Sequence, residues 1–277
     1  MQYGIVLPIS GIGGSVDRLI EYAQAAEEAG WDGIFLEDYL VYWRDEGVTY
    51  DPWLTLAALA MRTKRIRLGI TVTALPSRLP WQVAREAITL DHLSHGRVIL
   101  GFGLGDPQDM HFGEVEKAKE RAEMLDEGLE ILNGLMSGQP FHYEGKHYQV
   151  KEVTFVPKPV QQPRIPIWIG GMWPRKAPMR RAARWDGFVP AKLPDENGYT
   201  EFQPSELREI KKMLEQEHKG PFDLVTGGTT PGDDRAKARE LMEPMREAGV
   251  TWWCEFVLPE PRQEEEALTR IKQGAPR

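Results

Sequence analysis

Residues 67–103 read RLGITVTALPSRLPWQVAREAITLDHLSHGRVILGFG, and this stretch decides the fold. Arg67 to Val72 is a short apolar run that predicts a strand. Pro80 then opens a helix at its first position, where the missing backbone N–H costs nothing. That helix ends near Leu93, and Arg97 to Gly103 predicts a second strand. A helix that joins two strands in this way crosses over the sheet, so the strands run parallel.

The same alternation continues outward in both directions. Tyr3 to Pro8 is an apolar strand, followed by Gly11-Ile12-Gly13-Gly14. Val16, Leu19, Ile20, Ala23 and Ala26 recur at helical spacing until Gly30. Ile34 to Leu36 is the next strand, and Asp51-Pro52 is an N-cap with proline at the first helical position. Downstream, Val115, Ala118, Ala122, Leu125, Leu129, Leu132 and Met136 mark one face of a long helix. Glu144-Gly145 then sits between two aromatic-rich runs, Phe141 to Val150, which predict an inserted hairpin. Strands are predicted again at Ile165 to Ile169, Gly187 to Val189, Phe222 to Thr226 and Thr251 to Leu258, each followed by a helix. Eight such units make the α/β class and a (β/α)8 TIM barrel, one domain over 1–277, with the hairpin between helix four and strand five.

Composition limits the function. The chain has 277 residues, 41% of them hydrophobic, enough for a substantial core, and 27% charged, as in a soluble protein. A formal net charge of −8 argues against a general nucleic-acid binder. No run approaches a membrane span and no secretory signal is visible. Cys254 is alone, so no internal disulfide forms and a cytoplasmic, reducing setting is expected.

In such a barrel the active site lies at the C-terminal ends of the strands. That rule collects Glu37-Asp38-Tyr39, then Thr71, Val72, Thr73 and Arg78, then Gly103-Leu104-Gly105-Asp106, Gly170-Gly171, Thr226-Gly227-Gly228 and Glu255. Gly170-Gly171 directly after strand five lets backbone N–H groups approach an anion. Arg175, Lys176, Arg180, Arg181 and Arg184 follow, and Arg175 is the preferred anion contact. A tight turn beside a solvated basic helix face explains the same residues. Gly101-Phe102-Gly103-Leu104-Gly105 lacks the spacing of a dinucleotide fingerprint and suits close approach of a flat ligand. Tyr39, Tyr42, Trp43, Tyr50, Trp53, Trp173, Trp252 and Trp253 supply aromatic walls, though only one of the last pair can point into the barrel. The histidines show no metal-ligand context, and no hydrolase elbow is present.

With these residues in place the sequence resembles the bacterial luciferase-like family of flavin- or deazaflavin-dependent oxidoreductases. The resemblance runs through Leu68-Gly69 to Val72, Arg78-Leu79-Pro80, Leu90-Asp91, Leu93-Ser94, Gly96-Arg97, Gly101 to Gly105, Ile165 to Gly171 and Arg184-Trp185-Asp186-Gly187. It implies FMN, or alternatively coenzyme F-420, at the barrel mouth, with its phosphate at Gly170 and Gly171. In deazaflavin members a non-proline cis peptide presses on the ring, and Thr71–Val72 is the matching bond. Those members often carry Ser-Asp-His after strand two, where this chain has Glu37-Asp38-Tyr39. Trp43 and Asp106 fall near positions that carry a catalytic Trp and Glu in one sugar-phosphate dehydrogenase branch of the family.

The expected chemistry is hydride transfer, or monooxygenation with a true flavin and a separate flavin reductase as partner. Asp38, Tyr39 and Asp106 are the catalytic candidates. Thr71, Val72, Thr73, Gly103, Gly170, Gly171 and Arg175 would bind cofactor, and Glu37 and Trp43 a small-molecule substrate. No metal is expected, and a homodimer is expected from the family. Two other classes compete: a cofactor-free acid–base barrel using Glu37, Asp38, Asp106 and Glu255, and an inactive flavin-binding relative.

Overall fold

A computed structural model describes residues 1–9, 15–40, 49–106, 112–193, 201–257 and 263–277. The chain runs β1 (Gln2–Leu7), α1 (Val16–Glu28), β2 (Gly33–Leu36), α2 (Pro52–Arg62), β3 (Arg67–Ala74), α3 (Pro80–Ser94), β4 (Val98–Gly103) and α4 (Ala118–Met136). Next come β5 (Phe141–Glu144), β6 (Gln149–Val153), β7 (Ile167–Met172), α5 (Lys176–Ala182), β8 (Gly187–Ala191) and α6 (Pro204–Glu217). The last elements are β9 (Asp223–Gly228), α7 (Arg235–Glu247), β10 (Trp252–Phe256) and α8 (Glu264–Lys272). Eight strands close into one barrel in the order β1, β2, β3, β4, β7, β8, β9, β10 and back to β1. The (β/α)8 expectation therefore holds. β5 and β6 form the inserted antiparallel hairpin, outside the barrel sheet.

Local chemistry sets the helix ends. Ser15 accepts from the Arg18 amide, and Asp51 accepts from Leu54 at 2.8 Å with Pro52 behind it. α3 stops where His95 turns into the left-handed region at φ 56, followed by Gly96 at φ 80.

Strand alternation divides the core into two layers. Tyr3, Ile5, Leu7, Ile34, Leu36, Leu100, Phe102 and Trp253 face the helices. Val6, Phe35, Ile99, Trp168, Val225, Trp252 and Cys254 fill the barrel itself. So Trp252 points in and Trp253 packs under the helices. Phe35, Trp168 and Trp252 meet in tilted and edge-on pairs, with centroids 5.2 to 5.5 Å apart. They have room because the strands beside them carry glycine: a Cβ at Gly4, Gly33 or Gly69 would come within 3.0 Å of the Phe35 ring.

The end of the barrel away from the mouth is tied by charge. The Glu27 carboxylate, at the end of α1, accepts from the amides of Lys64, Arg65 and Ile66 ahead of β3. Burial pushes this carboxyl up, but the three backbone donors outweigh it and hold it below the usual range. A lowered folded-state pKa gives stability that is present above the unfolded value and lost as pH falls through the folded one. Glu27→Gln is expected to melt below wild type at pH 7, with the gap closing as pH drops below about 4. Thermal melts of both proteins from pH 7 to pH 3 check this, and a gap that does not narrow toward pH 3 contradicts it.

Candidate active site

The mouth begins with an irregularity in β3. Ile70 pairs with Leu100 and Thr73 with Phe102, so two β3 residues stand opposite Gly101. The Thr71–Val72 peptide within this bulge is cis, as the family resemblance implied. The bulge turns Val72 toward β4 and β7. A Cβ at Gly103 or Gly170 would lie 2.8 or 2.9 Å from a Val72 methyl, and one at Gly101 3.1 Å. Three positions without side chains thus surround one branched apolar group. The result is a shallow floor that suits the face of a flat ring.

Thr73 lies on the opposite side of the strand. Its partner Phe102 faces the helices, and Thr73 itself is fully buried. Its hydroxyl donates to Asp38 Oδ2 at 2.7 Å, and Arg78 donates to both Asp38 oxygens at 3.0 and 3.1 Å. The Asp38 side chain is only 5% exposed. Burial pushes its carboxyl above the ordinary range, while Arg78 and the Thr73 hydroxyl pull the other way. These three groups lock the exit of β2 to the exit of β3. Glu37 and Tyr39, on either side of Asp38, are half-buried, and Asp106 after β4 is exposed. Trp43 lies outside the described residues, as do Tyr42 and Gly11 to Gly14.

β7 runs further than its sequence suggested. Gly170 and Gly171 do not follow the strand but belong to it, paired with Val189 and Pro190 of β8. Extended pairing with β8 carries the strand on to Met172. The missing Cβ of Gly171 points away from the barrel interior, where it would sit 2.2 Å from Pro178 of α5. Gly171 therefore brings α5 close to the sheet, and Gly170 is the member that faces Val72. The basic run is largely spent on packing. Arg181 donates to both Asp126 carboxylate oxygens at 2.7 and 2.9 Å, Arg184 pairs with Glu130 at 3.1 Å, and Arg180 approaches Glu217 at 3.9 Å. Arg175, the N-cap residue of α5, stays exposed beside the end of β7.

Glu255 sits elsewhere. With Trp252 inside the barrel, alternation turns Glu255 outward, and it is 1% exposed. It accepts from the Thr230 amide at 2.6 Å, the Thr230 hydroxyl and the Trp253 indole at 3.0 Å, and Arg270 of α8 at 3.2 Å. A carboxylate so enclosed lies behind the wall of the mouth, which removes one member of the cofactor-free acid–base set. Among the described residues no group of three or more His, Cys, Asp or Glu could hold a metal ion, and no helix is long and apolar enough to cross a membrane.

Two arginines behind the mouth had no role assigned from sequence, although Arg78 stood among the strand-end residues collected there. Arg78 had a signal: an acid placed at the end of a buried strand needs a cation close by. Arg121 in the first turn of α4 had none, because its partners are backbone oxygens and one serine hydroxyl.

Comparison with known proteins fits this geometry. A model of the luciferase-like monooxygenase family matches residues 1–276. An F-420-dependent glucose-6-phosphate dehydrogenase from Microbacterium testaceum is 35% identical over 192 residues, 67% of this chain and 55% of that protein. An F-420-dependent hydroxymycolic acid dehydrogenase from Mycobacterium tuberculosis is 34% identical over 181 residues, covering 62% of this chain and 48% of its own length. The chain thus spans about half the length of these relatives. The solved structure of the coenzyme F-420-dependent tetrahydromethanopterin reductase from Methanopyrus kandleri superposes with a TM-score of 0.77 at 17% identity, over 99% of this chain and 98% of that one. A barrel of this topology, a whole-chain family match and oxidoreductase relatives agree, and the chain belongs to the luciferase-like monooxygenase family of oxidoreductases.

Proposed function

We propose that this protein is a deazaflavin-dependent dehydrogenase that binds coenzyme F-420 at the barrel mouth and acts on a small organic substrate. The observation that carries the reading is the floor where Val72 meets Gly101, Gly103 and Gly170. A side chain at Gly103 or Gly170 would fill the space that a ring face needs, whereas one at Gly101 would first strike the Ile70 carbonyl. The choice of the deazaflavin is supported by the F-420-dependent names of the two dehydrogenase relatives. FMN, the first expectation from sequence, is the competing ligand, and a flavin enzyme would also call for a reductase partner.

When bound, the deazaflavin supplies a two-electron hydride donor or acceptor. The protein's part is to place and enclose it. Val72 would support the ring, with Thr71 and Gly103 beside it, and Arg175 at the end of β7 would take the phosphate. Asp38, held by Thr73 and Arg78, fixes the β2 exit on which Tyr39 stands. Tyr39 holds the substrate-side proton at its phenolic oxygen, the role that histidine takes in the related pattern. Glu37 and Trp43 contribute to the substrate side, and Asp106 offers a polar contact to ring or substrate.

Titration of the purified protein with coenzyme F-420 and with FMN, read by ligand fluorescence and absorbance, tests the proposal. The expected outcome is saturable binding of F-420 with a Kd at least about tenfold lower than that of FMN, a difference of about 1.4 kcal/mol. Tighter binding of FMN would move the reading to the flavin, and binding of neither would overturn it.

A further inference from the structure

We propose that Arg121 is a positioning residue that sets the β4 exit against the β3 exit and so fixes the floor on which the cofactor ring lies. The inference rests on the reading of the mouth as a cofactor site and extends it to a side chain outside that mouth. Arg121 is 2% exposed. Its Nε donates to the Leu104 carbonyl at 2.8 Å, and Nη2 bonds the same oxygen. The guanidinium also reaches the Val115 carbonyl and the Ser77 hydroxyl, each at 3.4 Å.

The placement of those partners is what matters. Leu104 directly follows Gly103, one of the glycines beneath Val72. Ser77 closes the short turn Leu75–Ser77 that directly follows β3, the strand that carries Val72. One planar, multi-donor cation therefore ties together the two strand ends whose separation determines how Val72 sits against Gly103. Burial works against the charge and lowers the Arg121 pKa. Backbone and hydroxyl oxygens offset that cost, and they hold the cation in one geometry. A lysine has a single nitrogen on a flexible stem and cannot span Leu104, Val115 and Ser77 at once.

Arg97 provides the contrast. It is also a buried arginine that bonds backbone carbonyls, but its partners Ala60, Thr63, Ile66 and Ser94 lie at the other end of the barrel. If buried arginines act here only through general stability, Arg97→Lys and Arg121→Lys will behave alike. If Arg121 positions the mouth, the two will separate.

The experiment compares wild type, Arg121→Lys and Arg97→Lys by thermal melting, by F-420 titration at a temperature where each is folded, and by backbone hydrogen exchange without ligand. Expected for Arg121→Lys are a rise in Kd of about tenfold or more and faster exchange confined to the β3 exit, residues 75–77, and the β4 exit, residues 103–106. Arg97→Lys is expected to melt lower yet to bind within about twofold of wild type. Should the lysine variant fail to fold, Arg121→Gln, whose amide still donates to a carbonyl, is expected to show the same local pattern. An unchanged Kd in the folded Arg121 variant overturns the proposal. So does faster exchange spread over the whole barrel with a Kd change matching that of Arg97→Lys. If wild type itself binds neither F-420 nor FMN, the functional reading fails, and exchange alone decides the positioning role: a local rise supports it and its absence refutes it.

Discussion

Gly103→Val is expected to lower affinity for the proposed deazaflavin by about tenfold to a hundredfold while the barrel stays folded. The added Cβ would stand 2.8 Å from a Val72 methyl, closer than two carbon atoms settle. The obstacle is the end of a side chain and not backbone, so the strain is relieved when Val72 swings out of place. Relief on the protein's side is loss on the ligand's side, because the displaced methyls rise into the space the ring would occupy. Overpacking of this kind costs about 1–3 kcal/mol, which converts to the stated range of Kd. Val72→Ala makes room again, so the double variant should bind better than Gly103→Val alone, a coupling that additive effects would not give. Titration of the three variants with F-420 reads the result. Equal affinity of Gly103→Val and wild type would mean that the ring lies elsewhere.

Arg97→Met acts on the other end and on a different quantity. The Arg97 guanidinium donates to the Ser94 carbonyl at 2.7 Å, the Ile66 carbonyl at 2.8 Å, the Ala60 carbonyl and Thr63 hydroxyl at 2.9 Å and the Thr63 carbonyl at 3.0 Å. It thereby gathers the end of α2, the approach to β3 and the end of α3. Methionine fills similar volume and satisfies none of these oxygens. Each buried acceptor left without a donor costs about 1–3 kcal/mol, reduced where water can reach it, so a total of about 3–5 kcal/mol is expected. At a few degrees per kcal/mol the melting temperature should fall by about 10 °C or more. A melt within about 2 °C of wild type would show that solvent replaces these bonds without penalty.

The barrel itself was legible because its signals are local. Apolar strand runs alternate with helical periodicity eight times, proline opens α2, α3 and α6, and the hairpin around Glu144-Gly145 breaks the pattern where the structure breaks it. The mouth was legible only as a set of strand ends. Strict alternation along β3 would put Thr71 and Thr73 on one face. The bulge between Ile70 and Thr73 shifts that parity, so Val72 faces the glycines and Thr73 faces Asp38. Sequence also left open which of Trp252 and Trp253 points inward, and the side of Glu255 follows from that choice. The partners of Arg181 and Arg184 lie on α4, more than fifty residues away, and only the closed barrel brings them together. Glycine pairs posed a related difficulty. A residue without a side chain fits a ligand cradle or a tight helix contact equally well; Gly171 makes the helix contact, against Pro178, and Gly170 faces Val72.

The ring cluster in the lower barrel constrains how this sequence can drift. Phe35 fills the space left by Gly4, Gly33 and Gly69, which sit on three adjacent strands and three distant stretches of chain. A smaller residue at position 35 would leave all three glycines facing a void, and a larger one at any of the three would collide with the ring. Single steps in either direction are therefore selected against, and change must come in pairs. Lineages that lose the phenyl ring should gain a side chain at position 4, where the ring is the nearest obstacle, while Trp252 and the Ile99 carbonyl keep positions 33 and 69 as glycine.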